Sequence, residues 1–197
     1  MTYARLLVVS LGNQAPYYHC RHSAGHFALA AAQKVFEPNQ PPFNSERVGG
    51  KVSAVSTGQR YIFIQSPTMM NNCGPWIKAA WVDILRRENL MASEVPIILV
   101  HDDLEAKFGN VRVRQWDSSA QGHRGVISAK KALDSSASSR EGWARIMIGI
   151  GRPKDRSVDV ISDYVLGQLS ETQKEIINDE VGPEVVNRLL EISKVPN

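Results

Sequence analysis

The sequence predicts an α/β domain in three layers, with a mixed, mostly parallel twisted sheet flanked by helices. Three observations carry that expectation. Helical patterns alternate with strand-like runs along most of the chain. The run Ile97-Ile98-Leu99-Val100 is apolar without alternation, as in a central strand buried on both faces. Two strand-like segments are joined by a short turn at Thr57-Gly58-Gln59, so the sheet holds at least one antiparallel hairpin. At 197 residues the chain is expected to form one domain, 1–197, large enough for a real core.

Taken in order, Arg5 to Leu11 reads as the first strand. The polar loop behind it, LGNQAPYYHCRHSAG, gathers an Asn, two Tyr, a Cys and two His between residues 13 and 22. In open α/β sheets such strand-to-helix loops lie at the carboxyl edge, where ligands bind. Ser23 is placed to cap a helix from Ala24 to about Val35, and Pro38 to Pro42 end it. Glu46 to Ser56 is expected to pair with Tyr61 to Gln65 as the hairpin. Pro75 fits the first turn of a helix reaching about Asn89, with Ile77, Ala80, Trp81, Ile84 and Leu85 as its buried stripe.

The central strand begins after Pro96 and ends in His101-Asp102-Asp103. Val111 to Gln115 alternates Val and Arg, which predicts a half-exposed strand with Arg112 and Arg114 on one side. A polar loop precedes a helix from about Val126 to Asp134. Ser135 to Ser139 reads as a flexible connector, and Arg145 to Gly149 as a further strand. The final helix opens with Ser170 and Gln173 at capping-box spacing, and Gly182-Pro183 should kink or split it.

Composition narrows the function. Apolar residues make up 43% and charged residues 22%, ordinary values for a globular protein, and no run reaches the length of a membrane span. Two cysteines make no disulfide framework, which suits a reducing compartment. No secretory or transit segment is visible, so a cytoplasmic location is expected, or the mitochondrial matrix if a transit segment has been removed. Net charge is +3, unevenly spread. Residues 107–156 hold 11 Lys/Arg against 4 Asp/Glu, and residues 157–197 hold 3 against 8. A basic middle beside an acidic tail suggests a polyanionic partner for one face.

The chemistry concentrates at strand ends. His22 is the candidate general base, because an imidazole titrates near neutrality. Asp102, just past the central strand, is the candidate partner that would fix its tautomer and stabilise the imidazolium. Asn13 and Asn71 each follow a strand, and an amide there can donate to an oxyanion or hold a water. Other readings are weaker. Gly149-Ile150-Gly151 lacks the third glycine of a dinucleotide loop. His19, His22 and His26 with His101-Asp102-Asp103 would make a metal site, but no His-Glu-x-x-His or Cys-x-x-Cys pattern supports one. Cys20 beside His22 lacks a glycine-rich nucleophile turn.

The stretches SLGN followed by Tyr17 and RHSAG, then PTMMNNCG, HDDL, QGHRG and RIMIGIGRP, occur in the order found in bacterial-type peptidyl-tRNA hydrolases. The chain resembles that family over nearly its whole length. The resemblance implies hydrolysis of the ester between a peptide and the 3′ ribose of tRNA, with no cofactor and no metal. It implies His22 as the base, Asp102 as its support, Asn13 at the substrate amide, and Asn71 with Met70 positioning substrate and water. It further implies Tyr17 in the site for the tRNA terminus and Gly122 and His123 lining the peptide channel. Arg112, Arg114 and Arg145 resemble the family's phosphate-clamping residues by position. Peptidyl-tRNA is then the partner, no membrane is involved, and a monomer is expected.

Several positions depart from the family pattern. Gln14, Ala15 and Ser23 replace its usual Pro, Gly and Asn, Met69 replaces an aromatic wall, and Arg124 replaces an asparagine that contacts substrate. Arg124 cannot accept a hydrogen bond but can bind a phosphate or carbonyl oxygen. The alternative in a different class is a non-catalytic RNA-binding relative, like the plastid splicing factor that resembles this family.

Overall fold

The computed structural model describes residues 3–134 and 140–194, so the connector expected at 135–139 lies outside the described residues. Seven strands form one sheet: β1 (Leu6–Ser10), β2 (Asn44–Val48), β3 (Lys51–Thr57), β4 (Tyr61–Gln65), β5 (Ile97–Asp103), β6 (Val111–Gln115) and β7 (Ala144–Gly149). Their order is β2-β3-β4-β1-β5-β7-β6. The centre, β4-β1-β5-β7, is parallel. Strand β3 is antiparallel to both of its neighbours, and β6 is antiparallel to β7. Five strands therefore run one way and two the other.

Helices α1 (Ala24–Phe36) and α6 (Gly182–Lys194) cover one face, and α2 (Cys73–Glu88) and α3 (Arg124–Leu133) the other. The period of two along β1 decides this. Leu6 and Val8 join Ala28, Leu29, Val185 and Leu189, while Leu7 and Val9 join Ile77, Trp81, Val126 and Ala129. The apolar run of β5 divides the same way, which is why it shows no alternation of polarity. Each such side chain taken fully out of water contributes about 1.5–3 kcal/mol. Among the described residues, no helix is long and apolar enough to cross a membrane.

Four expectations change. The segment Glu46 to Ser56 is not one strand but parts of two, because Gly49 and Gly50 both adopt positive φ (57° and 83°) and fold β2 back on β3. Ser23 does not cap α1; its hydroxyl is used inside the preceding loop. Strand β5 runs on through His101, Asp102 and Asp103, fully buried. A helix unforeseen in the sequence, α4 (Val158–Leu166), follows β7. At the C-terminus the Ser170 capping box opens α5 (Glu171–Ile176), a π-helical turn at Ile177–Val181 follows, and α6 begins at Gly182, so the split falls where Gly-Pro predicted it.

The start of α1 is set by one close backbone approach. A Cβ on Gly25 would lie 2.5 Å from the Val100 carbonyl oxygen and 2.7 Å from that of Leu11. Only glycine lets the first turn of α1 rest directly on the end of β1 and the middle of β5.

Candidate active site

Strands β1, β4 and β5 are adjacent and parallel, so the loops after them open at the same sheet edge. Helix α1 leaves β1 towards one face and α2 leaves β4 towards the other, which opens a crevice between them.

His22 sits in a 3-10 turn, Arg21–Ser23, directly before α1. The Ser23 hydroxyl accepts from the Asn13 backbone N–H at 2.9 Å and donates to the Tyr17 carbonyl at 3.2 Å, closing the 13–23 loop on itself. Arg21 ties the turn to α4: its backbone N–H donates to the Gly167 carbonyl at 2.9 Å, and its guanidinium donates to the Tyr164 carbonyl and lies 4.7 Å over the Tyr164 ring.

His22 Nδ1 lies 2.8 and 2.9 Å from the two carboxylate oxygens of Asp102. Asp102 is 2% exposed, near the end of β5. A carboxylate only accepts, so Nδ1–H donates and Nε2 keeps its lone pair. Burial lowers the His22 pKa, but the charge and hydrogen bond of Asp102 outweigh it, and the net shift is upward. For Asp102, burial works to raise the pKa. The imidazoles of His22 and His123 more than reverse that and hold the carboxyl below the ordinary range.

His123 completes the arrangement. Its Nδ1 accepts from the Val126 N–H at 3.2 Å as the N-cap of α3. The proton is therefore on Nε2, which donates to Asp102 Oδ1 at 3.0 Å. The turn that presents His123 passes through positive φ at Gln121 (49°) and Gly122 (80°). His101, the residue before Asp102 in β5, donates from Nδ1 to the Asp102 carbonyl at 2.7 Å and packs edge-on against His123 with ring centres 4.6 Å apart. Burial, with His123 nearby, pushes its pKa down to about 3, so it stays neutral.

His22, Asp102 and His123 also offer three ligand atoms within 4.8 Å of one another, a set with the donors to hold a metal ion. Those atoms are spent on each other, and a metal would have to displace the Nδ1 proton and the shared bonds. The histidine set weighed from sequence does not gather. His26 is buried with Nδ1 at 2.8 Å from the Ser10 hydroxyl, its pKa pushed by burial to about 3, and His19 packs edge-on against Tyr18 and tilted against Phe27.

The remaining residues divide by location. Asn13 is buried; its Oδ1 accepts from the Met70 N–H at 3.2 Å and so joins the β1 loop to the β4 loop. Asn71 is exposed in the next 3-10 turn, Met70–Asn72. Asn71 and Arg124 line both a cavity of about 300 Å³ beside His22, His101, Asp102 and His123 and one of about 500 Å³ on the other side of His22. Tyr17, Met69 and buried Met70 line the larger one, and Gly122 the smaller. Arg112 pairs with Asp103 at 2.6 Å, and Arg114 shares its face of β6. Arg145 is a correction. It is 1% exposed and donates to the Ser118 and Ser119 carbonyls at 2.8 and 3.0 Å, so it is not available to a phosphate at the surface.

Sequence reading missed the wall opposite. Val158, Ile161 and Val165 of α4 line the larger cavity; Leu104, Glu105 and Arg152 line the smaller. The signal was present: Ser157 precedes apolar residues at i, i+3 and i+7.

The family model for peptidyl-tRNA hydrolase matches residues 7–195. A peptidyl-tRNA hydrolase of Aquifex aeolicus is 33% identical over 190 residues, covering 95% of this chain and 91% of its own. One of Rhodopirellula baltica is 32% identical over 171 residues, covering 86% and 81%. The crystal structure of peptidyl-tRNA hydrolase from Acinetobacter baumannii aligns with a TM-score of 0.68 at 18% identity, over 98% of this chain and 94% of that one, a likeness of fold.

Proposed function

The chain belongs to the peptidyl-tRNA hydrolase family, and on that premise we propose that it hydrolyses the ester between a peptide and the 3′ ribose of tRNA, with His22 as general base. The observation that carries the assignment of the base is the His22–Asp102 pair, a buried carboxylate holding Nδ1–H so that Nε2 is free beside two cavities.

Water held at His22 Nε2 loses a proton to it and attacks the ester carbonyl carbon. The carbonyl π pair moves to oxygen, and the imidazolium is stabilised by Asp102. The exposed amide of Asn71 is a donor for the oxyanion. Collapse of the tetrahedral intermediate breaks the bond to the ribose oxygen, which takes the proton back from Nε2. Asn13 acts through Met70, holding the β4 loop and hence Asn71 in place. His123, locked as the Nε2–H tautomer, holds Asp102 through Oδ1, the oxygen it shares with His22.

Tyr17, Met69 and Met70 with the α4 wall form the seat for the tRNA terminus, and Gly122 with His123 borders the peptide. Arg114, helped by Arg112, meets phosphate. This route uses no metal or cofactor. The protein is read as acting as a monomer, in the cytoplasm or the mitochondrial matrix.

The test is release of N-acetyl-aminoacyl groups from tRNA by the wild-type protein, beside the same tRNA carrying a free aminoacyl group. Rapid hydrolysis of the first and not the second is expected. Tight tRNA binding with no hydrolysis of either would favour the non-catalytic RNA-binding reading.

A further inference from the structure

The junction of the cleft carries one positive charge that nothing in the fold explains. Arg124 lines the two cavities beside His22 and a third groove, of about 750 Å³, between the start of α2 and α3. Its side chain is exposed and makes no ion pair among the described residues. Of the cations lining the cavity beside His22, Arg152 is paired with Glu105 and Arg145 is bonded to two backbone carbonyls; Lys131 lines only the third groove, away from His22.

Local structure makes the placement costly. Arg124 is the first residue of the ten-residue helix α3, whose first turn contains no acid. The positive end of a helix dipole disfavours a cation there and favours an anion. A second observation comes from the smaller cavity itself. Arg145, 1% exposed, lies in its wall bonded to two backbone carbonyls and makes no ion pair among the described residues, so its charge has no acid partner there. Asp103 and Glu105 in that wall are already paired, and Asp102 is shared by two imidazoles. Across the larger cavity Asp159 is the acid that faces Arg124, and no ion pair joins them. Three arginines thus border the cavity; Arg152 is paired with Glu105, while Arg124 and Arg145 have no ion pair among the described residues.

We propose that Arg124 makes the cavity beside His22, whose wall also holds the buried charge of Arg145, an anion subsite for a group the substrate carries next to its scissile ester. Two parts of the substrate bear such a group: a carboxylate side chain on the esterified residue, or the last phosphodiester of the tRNA. This rests on the hydrolase reading and deepens it by making the site selective for charge.

The test compares wild type, Arg124→Gln and Arg124→Lys on four esters: N-acetyl-Glu and N-acetyl-Gln on the same tRNA, N-acetyl-Gln on a CA dinucleotide, and N-acetyl-Gln on adenosine. A loss of about 10- to 100-fold in kcat/KM for Arg124→Gln is the size expected for one charge-assisted hydrogen bond. Confined to the Glu ester, it assigns the carboxylate. Shared by every ester with a phosphodiester but not by the adenosine ester, it assigns the phosphate. Arg124→Lys should retain most of the rate in either case. Equal rates for wild type and Arg124→Gln on all four, or a uniform loss on all four, the anion-free adenosine ester included, would overturn the proposal. Binding of N-acetylglutamate α-amide and of the free CA dinucleotide, by calorimetry, reads the same contrast without catalysis. If wild type binds neither anion better than Arg124→Gln does, the subsite is rejected, whatever becomes of the hydrolase assignment.

Discussion

Replacing Asp102 with Asn is the sharpest perturbation of the site, because one buried carboxylate serves two imidazoles. Asp102 Oδ1 lies 2.8 Å from His22 Nδ1 and 3.0 Å from His123 Nε2. An amide keeps the shape but brings one oxygen and an NH₂ that must itself donate. The His123 tautomer is fixed by the Val126 N–H, so His123 takes the oxygen and the NH₂ faces His22. His22 must then carry its proton on Nε2, where it cannot act as base. The carboxylate charge that stabilises the imidazolium also disappears. At 2.8 Å and an effective dielectric of about 20, that attraction is at most roughly 6 kcal/mol. The corresponding change in a Ser-His-Asp triad lowers kcat about 10⁴-fold. We expect a loss of about 10³–10⁴-fold here, roughly 4–5.5 kcal/mol of barrier. Single-turnover hydrolysis of N-acetyl-aminoacyl-tRNA measures the rate, and fluorescence anisotropy measures tRNA affinity, which should change little. Asp102 also raises the His22 pKa, so the base of the wild-type enzyme is protonated as pH falls through a value above 6.5. In Asp102→Asn any residual activity should have its acid limb at lower pH. A loss under tenfold, an equal loss of tRNA binding, or an unmoved acid limb would refute this reasoning.

Other outcomes follow from the same structure. His26 and His101 are held near pKa 3 in the fold but titrate near 6.5 when unfolded, so below that value the unfolded chain binds more protons. Stability is full above about pH 6.5 and should fall on acidification by roughly 1.4 kcal/mol per pH unit for each histidine, read by urea unfolding at pH 7, 6 and 5; a flat profile would contradict it. Arg114→Ala should weaken tRNA binding more than Arg112→Ala, whose guanidinium is already paired with Asp103, and the double variant should flatten the salt slope by at most about 2; an unchanged slope would reject this phosphate contact. Gly74→Ala would put a Cβ 1.9 Å from the Ser128 carbonyl oxygen, forcing α2 from α3; we expect a destabilisation of about 1–3 kcal/mol or more, and an unchanged Tm would show that the helices separate freely.

Much of this architecture was legible because burial on two faces leaves a mark in composition. The unbroken apolar run of β5 announced a central strand, and the polar residues after β1, β4 and β5 announced the edge where ligands bind. Gly49-Gly50 was read through as strand because its neighbours are β-formers, although two glycines suit a hairpin turn. Helix α4 escaped because none of its residues is buried: its apolar face is turned to the cleft, so its pattern is short and weak. The pairing of His22 with Asp102 was inferable from residue types at two strand ends. The second imidazole on Asp102 was not. His123 reaches it only because a left-handed turn at Gln121-Gly122 and an N-cap bond to Val126 fix the ring, and no spacing records that. Arg145 failed as a surface clamp because position on a strand does not state which face of the sheet is covered by the loop that carries Ser118 and Ser119.

The central claim is that the imidazole of His22 removes the proton from water while tRNA binding depends on other groups. Its most direct measurement is single-turnover cleavage of N-acetyl-aminoacyl-tRNA by wild type and His22→Ala at saturating protein, with tRNA affinity measured for both. We expect a rate loss of at least about 10³-fold with affinity little changed. Cleavage by His22→Ala within a few-fold of wild type would contradict the account.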